Sequence, residues 1–293
     1  MTFLSGFIAI IGPPNVGKST LLNRFLGKKV AIVSRKPQTT RNRILGVLHG
    51  EGFQMIFLDT PGIHKAKTSL HKSMVSSAVS ALKEVDFAVV IIEKQRPHAP
   101  EIPLVLTNLK QAEKPAVLVI NKVDLGQKEH LLPIIDEYRS VFPFEAIVPI
   151  SALTGEGVDR LKDVLKEKLK PGPMFFPEEI STDQTESFLI AEIVREKIYQ
   201  HTGDEIPYSS AVTIESINER SKDLVVVSGL IHVESNSQKG ILIGQKGKMI
   251  KAIGQAARME IESLFGMKVY LELNVRVEKN WSRDPRALRR LGY

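Results

Sequence analysis

The chain has 293 residues, enough for about two domains, and its mixture of 43% hydrophobic with 25% charged residues excludes a largely disordered protein. It contains no cysteine, which excludes cysteine-ligated zinc, iron–sulfur clusters and thiol catalysis and fits a reducing cytosol. The net charge of +7 is unevenly distributed, because residues 239–293 hold 12 Lys and Arg against 5 Asp and Glu, which favours a polyanionic partner for that segment.

The first half of the chain alternates short apolar runs with helix-like segments. The runs, predicted as strands, are Phe7–Ile11, Ile44–Leu48, Phe53–Leu58, Phe87–Ile92, Ala116–Ile120 and Ala146–Ile150. The predicted helices are Ser19–Leu26, Ser69–Lys83, Ile102–Lys110, Lys128–Tyr138 and Val158–Leu169. Near-continuously apolar strands that alternate with helices predict an α/β fold with an open, mostly parallel sheet. The apolar start of the chain lacks a basic leader, so we expect a buried strand there and no signal peptide.

Three prolines and a glycine in the segment Lys170–Pro177 end this alternation and predict a stiff, non-helical connection. We therefore predict a first domain over residues 1–170, a linker over 171–180 and a second domain over 181–293. The second domain has the order α-β-β-α-α-β of an α+β fold. Its predicted elements are a helix over Thr185–Tyr199, strands Ser210–Ile217 and Leu224–Val233, a helix and a glycine break, helix Lys248–Phe265 and strand Lys268–Val277.

The segment Gly12–Ser19 follows the first predicted strand and opens the first predicted helix. It has the pattern G-x4-G-K-S of a phosphate loop, in the strand-to-helix context that such a loop requires. Glycines let backbone N–H groups turn inward around phosphates, and the helix N-terminus adds its positive end. Lys18 is placed to reach the β- and γ-phosphates, and the Ser19 hydroxyl to ligate Mg²⁺. The predicted phosphate-binding residues are Asn15, Val16, Gly17, Lys18, Ser19 and Thr20.

The third predicted strand is followed by Asp59-Thr-Pro-Gly62, at the sheet edge where the phosphates are expected. Asp59 is placed to hold Mg²⁺ through water, and the Gly62 N–H to contact a γ-phosphate. Upstream, Thr39 and Thr40 lie in a polar loop, where a threonine coordinates Mg²⁺ only when a γ-phosphate draws the loop inward. We favour Thr40, and Thr39 stays open as the alternative. The predicted catalytic residues are Lys18, Thr40 and Gly62, and the predicted metal ligands are Ser19, Thr40 and Asp59.

Selection of the base is predicted for Asn121-Lys122-Val-Asp124, which follows the fifth strand. The Asp124 carboxylate would accept hydrogen bonds from N1–H and the exocyclic amine of guanine, whereas adenine would leave it unpaired. Sites of that type discriminate by about 10⁴ or more. After the last strand of this domain, Ser151, Ala152 and Leu153 are placed so that a backbone N–H reaches guanine O6. Because these motifs occur in order at the ends of predicted strands, they indicate a site for GTP and GDP.

With these motifs, residues 7–170 resemble a small GTPase of the translation-factor class, in the branch that has Pro-Asn-Val-Gly-Lys-Ser and Thr-Thr-Arg. Ile63 follows the Asp59–Gly62 segment where Ras-like switches carry a water-orienting glutamine, so unaided hydrolysis should be slow. The resemblance also implies that Asn15 helps to bind a potassium ion that stands in for an arginine finger. We expect GTP and Mg²⁺ to order residues 35–43 and 62–72.

In the second domain, two predicted helices are joined by Ile241-Leu-Ile-Gly-Gln-Lys-Gly-Lys-Met-Ile-Lys251. A bare Gly-x-x-Gly is usually a helix-ending turn. Within this apolar and basic context, and in this order of elements, it is typical of a type II KH domain, which binds single-stranded RNA. The glycines let the backbone approach a sugar–phosphate strand, and the lysines neutralise it. The predicted RNA-binding residues are Gly244, Gln245, Lys246, Gly247, Lys248 and Lys251.

Over its whole length the chain then resembles the Era family, bacterial GTPases that assist assembly of the small ribosomal subunit. The ending Asn280-Trp281-Ser-Arg-Asp284 and Leu288–Tyr293 is also similar to that family. The resemblance implies that the partners are the small ribosomal subunit and single-stranded RNA near the 3′ end of its ribosomal RNA. Trp281 is a candidate for stacking on a base, although a lone tryptophan more often anchors a tail to a core.

Three other functions fit parts of the sequence. A tRNA-modification GTPase of the same branch would need a further helical domain and usually a C-terminal cysteine, and this sequence shows neither. An RNA-binding module with an inactive nucleotide pocket disagrees with the intact Lys18, Ser19, Asp59 and Asp124. A membrane-associated regulator is supported by the basic C-terminal segment alone, since no run approaches the roughly 20 apolar residues of a membrane span. We expect a cytoplasmic monomer, with peripheral association with the cytoplasmic membrane face left open.

Overall fold

The computed structural model describes residues 2–34, 36–203 and 205–293, with the backbone alone at Lys128. These residues form two compact units. The first unit contains the chain up to Lys67 and His71–Asp183, and the second contains Thr68–Leu70 and Gln184–Tyr293. The predicted linker, residues 171–180, thus lies within the first unit, while the predicted domain limits stay a prediction.

The first unit is built on a sheet that has seven strands among the described residues. Six of them follow the spatial order β2-β3-β1-β4-β5-β6, and β7 pairs with β1. All neighbours in the six-strand path are parallel except β2 and β3, which are antiparallel. The strands are β1 Leu4–Ile11, β2 Ile44–Gly50, β3 Phe53–Asp59, β4 Phe87–Glu93, β5 Ala116–Asn121, β6 Ala146–Pro149 and β7 Lys170–Pro171. The predicted open, mostly parallel sheet is confirmed.

Apolar side chains on both faces of the inner strands explain this architecture. Every residue of β3 and β5 is buried, which fits strands covered by helices on each side. The helices are α1 Lys18–Leu26, α2 Ser69–Glu84, α3 Ile102–Ala112, α4 Leu131–Val141 and α5 Val158–Lys166. A 3₁₀ turn at Lys128–His130 precedes α4 where the sequence predicts the start of the helix itself.

The edge strand β2 is covered by residues 180–182, which are the last residue of the predicted linker and the two residues after it. The Val47 N–H donates to the Ser181 carbonyl at 2.9 Å, and the Thr182 hydroxyl donates to the Leu45 carbonyl at 2.7 Å. Nearby, the buried Gln54 side chain of β3 accepts the backbone N–H groups of residues 175 and 176 at 3.0 and 3.1 Å. The proline-rich segment is therefore fastened to the sheet of the first unit.

The second unit has a three-stranded sheet in the order β10-β9-β8, in which β10 is parallel and β8 antiparallel to β9. Its core contains residues of α6, β9 and α9, among them Val194, Val227, Ile231 and Ile253. The elements are α6 Glu186–His201, α7 Ile206–Ser209, β8 Ala211–Ser221, β9 Leu224–Val233, α8 Asn236–Ile243, α9 Lys248–Phe265, β10 Lys268–Val277 and α10 Pro285–Arg290. The predicted α-β-β-α-α-β order is confirmed, with the short α7 and α10 added. Within the described parts of the chain, no helix has the length and hydropathy to cross a membrane.

Candidate functional site

The phosphate loop Gly12–Ser19 connects β1 to α1 at the carboxyl edge of the sheet. Gly17 precedes the helix with a φ of 99°, and a Cβ built on it would lie 2.3 Å from the Asn121 amide nitrogen. From the other side, a Cβ on Gly62 would lie 2.8 Å from the backbone of Pro14. The loop therefore packs against two other predicted motifs at distances that leave no room for a side chain.

Lys18 is the cation of this loop. Its side chain is buried, and its Nζ donates to the carbonyl oxygens of Pro13 at 2.7 Å and Gly12 at 3.3 Å. Burial lowers the pKa of Lys18 to about 8, although the charge of Asp59 opposes the shift. Because a buried ammonium gains most from a nearby negative charge, this position suits the phosphates of a nucleotide.

Three side chains with oxygen donors converge beside Lys18. Ser19 Oγ donates to Asp59 Oδ2 at 2.6 Å and lies 2.8 Å from Thr40 Oγ1. Asp59 Oδ1 is buried without a hydrogen-bond partner among the described residues. Burial raises the pKa of Asp59 to about 6, against the opposing effects of Ser19 and Lys18. Two hydroxyls beside an unsatisfied carboxylate oxygen fit Mg²⁺, which takes its remaining ligands from water and substrate phosphates.

Of the two adjacent threonines, Thr40 is the one that reaches this cluster. The Thr39 hydroxyl instead donates to the Lys36 carbonyl at 2.8 Å and stabilises a local turn. This geometry favours Thr40 over Thr39 as the candidate metal ligand. Arg35, the first residue of the segment expected to respond to GTP, lies outside the described residues.

The residue after Gly62 is apolar and faces the core. Ile63 is fully buried, and its N–H donates to the Gly12 carbonyl at 3.1 Å, which ties this segment to the phosphate loop. The next side chain, His64, has Nδ1 2.7 Å from the Gly62 carbonyl oxygen and Nε2 3.5 Å from the Gln38 amide nitrogen. Ile63 carries no polar group, so it cannot orient a water molecule as a glutamine does.

Asn121 joins the base-side motifs to the phosphate loop. Its Nδ2 donates to the Val16 carbonyl at 2.6 Å, and its Oδ1 accepts the Ala152 N–H at 2.9 Å. Ser151 is buried next to it, and its hydroxyl oxygen accepts the Thr154 N–H at 3.1 Å. One side chain thereby fixes three predicted elements of the pocket relative to each other.

The other predicted base-side residues are more open to solvent. Lys122 has a positive φ of 64°, and its Nζ forms an ion pair with Glu93 at 2.9 Å. Asp124 is exposed in the following turn, where its carboxylate is accessible to a base, and Leu153 is exposed beyond Ala152. Asn15, with a φ of 64°, and Thr20 belong to the phosphate loop and the first turn of α1. All predicted nucleotide residues thus belong to one edge of the first unit.

Two basic residues of this pocket are absent from the sequence prediction. Arg24 Nε donates to the Ala152 carbonyl at 3.2 Å, and its guanidinium also contacts the Leu153 carbonyl. The Lys94 ammonium donates to backbone carbonyls of residues 123–127, in the loop that carries Asp124. Neither residue belongs to a motif, and each resembles a solvated surface cation in the sequence.

In the second unit, the Gly-x-x-Gly segment is an exposed loop between α8 and α9. Gly244 has a φ of 70° and Gly247 a φ of 76°, and between them Lys246 is also left-handed with a φ of 49°. Gln245 and Lys246 are exposed, as are Lys248 and Lys251 on the first turn of α9. Apart from the neighbouring residues in the chain, no atom of the described residues lies within 4 Å of a Cβ built on Gly247, so the backbone there is open to an approaching nucleic-acid strand.

Trp281 anchors the C-terminal tail. The side chain is fully buried, its indole N–H donates to the Ser209 carbonyl at 3.0 Å, and its ring stacks on Tyr293. The more common role of a lone tryptophan is therefore confirmed, and a buried indole is not available for stacking on RNA.

Comparison with protein families gives two matches. Residues 7–122 match a family described as 50S ribosome-binding GTPase, and residues 205–282 match the KH domain family. The first match spans part of the first unit and ends at Lys122 within the base-reading motif, and the second spans part of the second unit.

Individual proteins are similar to the chain over nearly its whole length. GTPase Era of Geotalea uraniireducens (strain Rf4) is 53% identical over 99% of this chain and 98% of its own. GTPase Era of Geobacter metallireducens is 52% identical with the same coverage. A crystal structure of Era with MgGDPNP and nucleotides 1506–1542 of 16S ribosomal RNA is 43% identical, with a TM-score of 0.96 and 99% of both chains covered. Aquifex aeolicus Era bound to GDP·AlF4⁻ is 42% identical, with a TM-score of 0.95 over 100% of this chain and 99% of its own.

Proposed function

Because the chain belongs to the Era family of GTPases, we propose that it binds GTP with Mg²⁺, hydrolyses it to GDP and binds RNA near the 3′ end of small-subunit ribosomal RNA during assembly of that subunit. The observation that carries this proposal is the Ser19 hydroxyl, which lies within hydrogen-bond distance of both Thr40 and Asp59. The related Era crystallised with MgGDPNP and 16S ribosomal RNA supports both halves of the proposal.

In the proposed nucleotide site, the buried polar groups described above have the following roles. Ser19, Thr40 and Asp59 would hold Mg²⁺, which neutralises charge on the β- and γ-phosphate oxygens when it is bound. Lys18 would exchange its carbonyl partners for phosphate oxygens, and the Gly62 N–H would donate to the γ-phosphate. Since Thr40 and Gly62 lie in different segments that both face the phosphate loop, loss of the γ-phosphate would release both segments together.

The water-activating group is not supplied by Ile63. Asn15, in the phosphate loop, is our candidate for a ligand of a potassium ion whose charge would stabilise the transition state. Turnover measured in potassium and in sodium buffers of equal ionic strength tests this assignment. Equal rates in the two buffers would remove it.

The RNA half rests on the exposed backbone between Gly244 and Gly247. Lys246, Lys248 and Lys251 would pair with phosphates, which contributes affinity that falls as salt rises. Ile241, half exposed on the preceding helix, would contact an unstacked base. We assign the nucleotide function to residues 1–170 and the RNA function to residues 181–293.

The two functions would be coupled, because the nucleotide site and the RNA-binding loop belong to one chain and are joined by a short proline-rich segment. The test is the affinity for an RNA equivalent to nucleotides 1506–1542 of 16S ribosomal RNA, measured with a non-hydrolysable GTP analogue and with GDP. Tighter binding with the analogue supports a switch that releases RNA after hydrolysis. Lys18→Ala is the control, since it should give the same RNA affinity with either nucleotide. Equal affinities for the unaltered protein would remove the coupling.

Two expectations from the sequence remain: a monomer, and the peripheral membrane association that the sequence leaves open. The basic character of residues 239–293 supports the membrane association alone. Sedimentation with vesicles of anionic and of neutral lipid, at physiological salt, tests the membrane part, and light scattering tests the monomer.

A further inference from the structure

We propose that Lys94 is a positioning residue for guanine recognition, which acts by holding the loop that carries Asp124. The inference rests on the proposed GTP site and adds to it a residue outside its motifs. Lys94 follows Glu93, the last residue of β4, and is buried, with 5% of the residue exposed.

All three donors of the Lys94 ammonium have carbonyl partners in one loop. Its Nζ lies 3.0 Å from the Gln127 oxygen, 3.1 Å from the Gly126 oxygen and 3.4 Å from the Val123 oxygen. The Lys94 N–H also donates to the Asn121 carbonyl at 3.0 Å. Among the described residues, no carboxylate forms an ion pair with this lysine. Within the described part of the chain, the buried charge is therefore compensated by backbone carbonyls of residues 123–127.

This arrangement couples the lysine to the shape of the loop. A buried ammonium that loses its hydrogen bonds is strongly disfavoured, so an opening of the loop would leave a charge without partners. The loop contains a turn in which the Leu125 N–H donates to the Lys122 carbonyl at 3.1 Å, and Gly126 follows with a φ of 72°. Lys94 thereby adds its contacts with three carbonyls to the backbone hydrogen bond of this turn.

Asp124 is held from both sides by these contacts. On its N-terminal side, the Val123 N–H donates to the Ile150 carbonyl at 3.1 Å. On its C-terminal side, the carbonyls of Gly126 and Gln127 bind Lys94. The Asp124 side chain is exposed, so its direction depends on this backbone. Recognition of guanine requires both carboxylate oxygens to face two donors at once, which a tilted backbone would weaken.

The test compares GDP with IDP, whose base lacks the exocyclic amine of guanine. Lys94→Met keeps the length of the side chain and removes its charge and donors. We expect GDP to dissociate about tenfold faster, the scale of one lost hydrogen-bonded contact. The preference for GDP over IDP should fall by a similar factor, while kcat at saturating GTP is unchanged and KM rises. A general loss of stability would weaken GDP and IDP alike, so the ratio isolates positioning.

Two further variants separate the possible results. Lys197→Met removes another buried lysine, which in the second unit pairs with Glu196 and Glu260. It should lower stability and leave the GDP/IDP ratio unchanged. If Lys94→Met does not fold, the same nucleotide measurements are made on Lys94→Gln. Its shorter, neutral amide can reach at most some of the three loop carbonyls that bind the Lys94 ammonium.

The Asp124→Asn variant tests the guanine site itself, separately from the role of Lys94. If Asp124 reads the base, this variant should prefer xanthine nucleotides to guanine nucleotides. If that shift occurs while the Lys94 variants keep GDP dissociation and the GDP/IDP ratio within twofold of the unaltered protein, the positioning role is overturned. If the shift does not occur, the base-reading assignment fails first.

Discussion

The nucleotide pocket and the Gly-x-x-Gly loop are held by different means. In the pocket, side chains such as Asn121 and Ser19 join segments that are far apart in the chain, and most of these side chains are buried. In the loop, left-handed backbone at Gly244, Lys246 and Gly247 sets the shape, and the lysines are exposed. A substitution in the pocket should therefore disturb several elements at once, whereas one in the loop should act locally.

The largest expected effect is at Asp124, whose carboxylate is the predicted reader of guanine. Asp124→Asn replaces an acceptor by a donor that matches the 2-oxo group of xanthine. The preference for GTP over XTP should reverse. The size of the effect is set by the discrimination between bases that such sites achieve, which is about 10⁴. Titration calorimetry with both nucleotides measures this. Asp136→Asn, an exposed aspartate on α4, is the matched control and should have no effect. A variant that still prefers GTP would show that Asp124 does not read the base.

The next effect concerns the pH dependence that Asp59 gives to the protein without nucleotide. Burial raises the pKa of Asp59 from 3.8 to about 6, so the folded chain binds this proton more tightly than the unfolded chain. The contribution of protonated Asp59 to the free energy of unfolding is therefore complete below about pH 4 and is lost as pH rises through 6. The loss is about 3 kcal/mol, because each pKa unit corresponds to about 1.4 kcal/mol. Asp59→Asn should remove this decline and stabilise the first unit at neutral pH. It should also abolish the effect of Mg²⁺ on GTP binding.

Denaturant unfolding of both proteins in EDTA, at several pH values from 4 to 7.5, checks this prediction. The Asp136→Asn variant should keep the slope of the unaltered protein. Parallel curves for the unaltered protein and Asp59→Asn would mean that the Asp59 carboxyl group does not ionise with a raised pKa.

A smaller and local effect is expected in the loop. Gly247→Asp places a carboxylate at the proposed RNA backbone and should weaken RNA binding by on the order of 30-fold through repulsion and strain. Gly247→Ala carries the strain at a φ of 76° without the charge and should lose less affinity. GTP affinity should be unchanged in both. Filter binding at two salt concentrations measures the RNA part, and full RNA affinity in both variants would place the RNA elsewhere.

The smallest effect is expected at Trp281. Trp281→Phe removes the hydrogen bond to the Ser209 carbonyl and should cost about 1 kcal/mol of stability. RNA affinity should stay within twofold, because the buried ring has no face for a base. A selective loss of RNA affinity at full stability would contradict the anchoring role.

The motifs of the pocket were predictable because a fixed spacing places them at strand ends. The bounds of β9, α9 and β10 match the predicted ones, since turn residues and clear periodicity define both ends. Arg24 and Lys94 were not predictable, because their partners are backbone carbonyls, which every residue has and no sequence pattern marks. The antiparallel direction of β2 was also missed, since an apolar run does not reveal which way a strand points.

Residues 180–182 have a practical consequence for dissecting the protein. An edge strand with free N–H and C=O groups is a template for pairing with another chain. A first unit truncated at Lys170, where the proline-rich segment starts, would lose the hydrogen-bond partners of Val47 and Leu45. Strand β2 would then be an uncovered edge strand that can pair with another chain. We expect such a fragment to precipitate or form oligomers, and one that ends at Asp183 to stay dispersed.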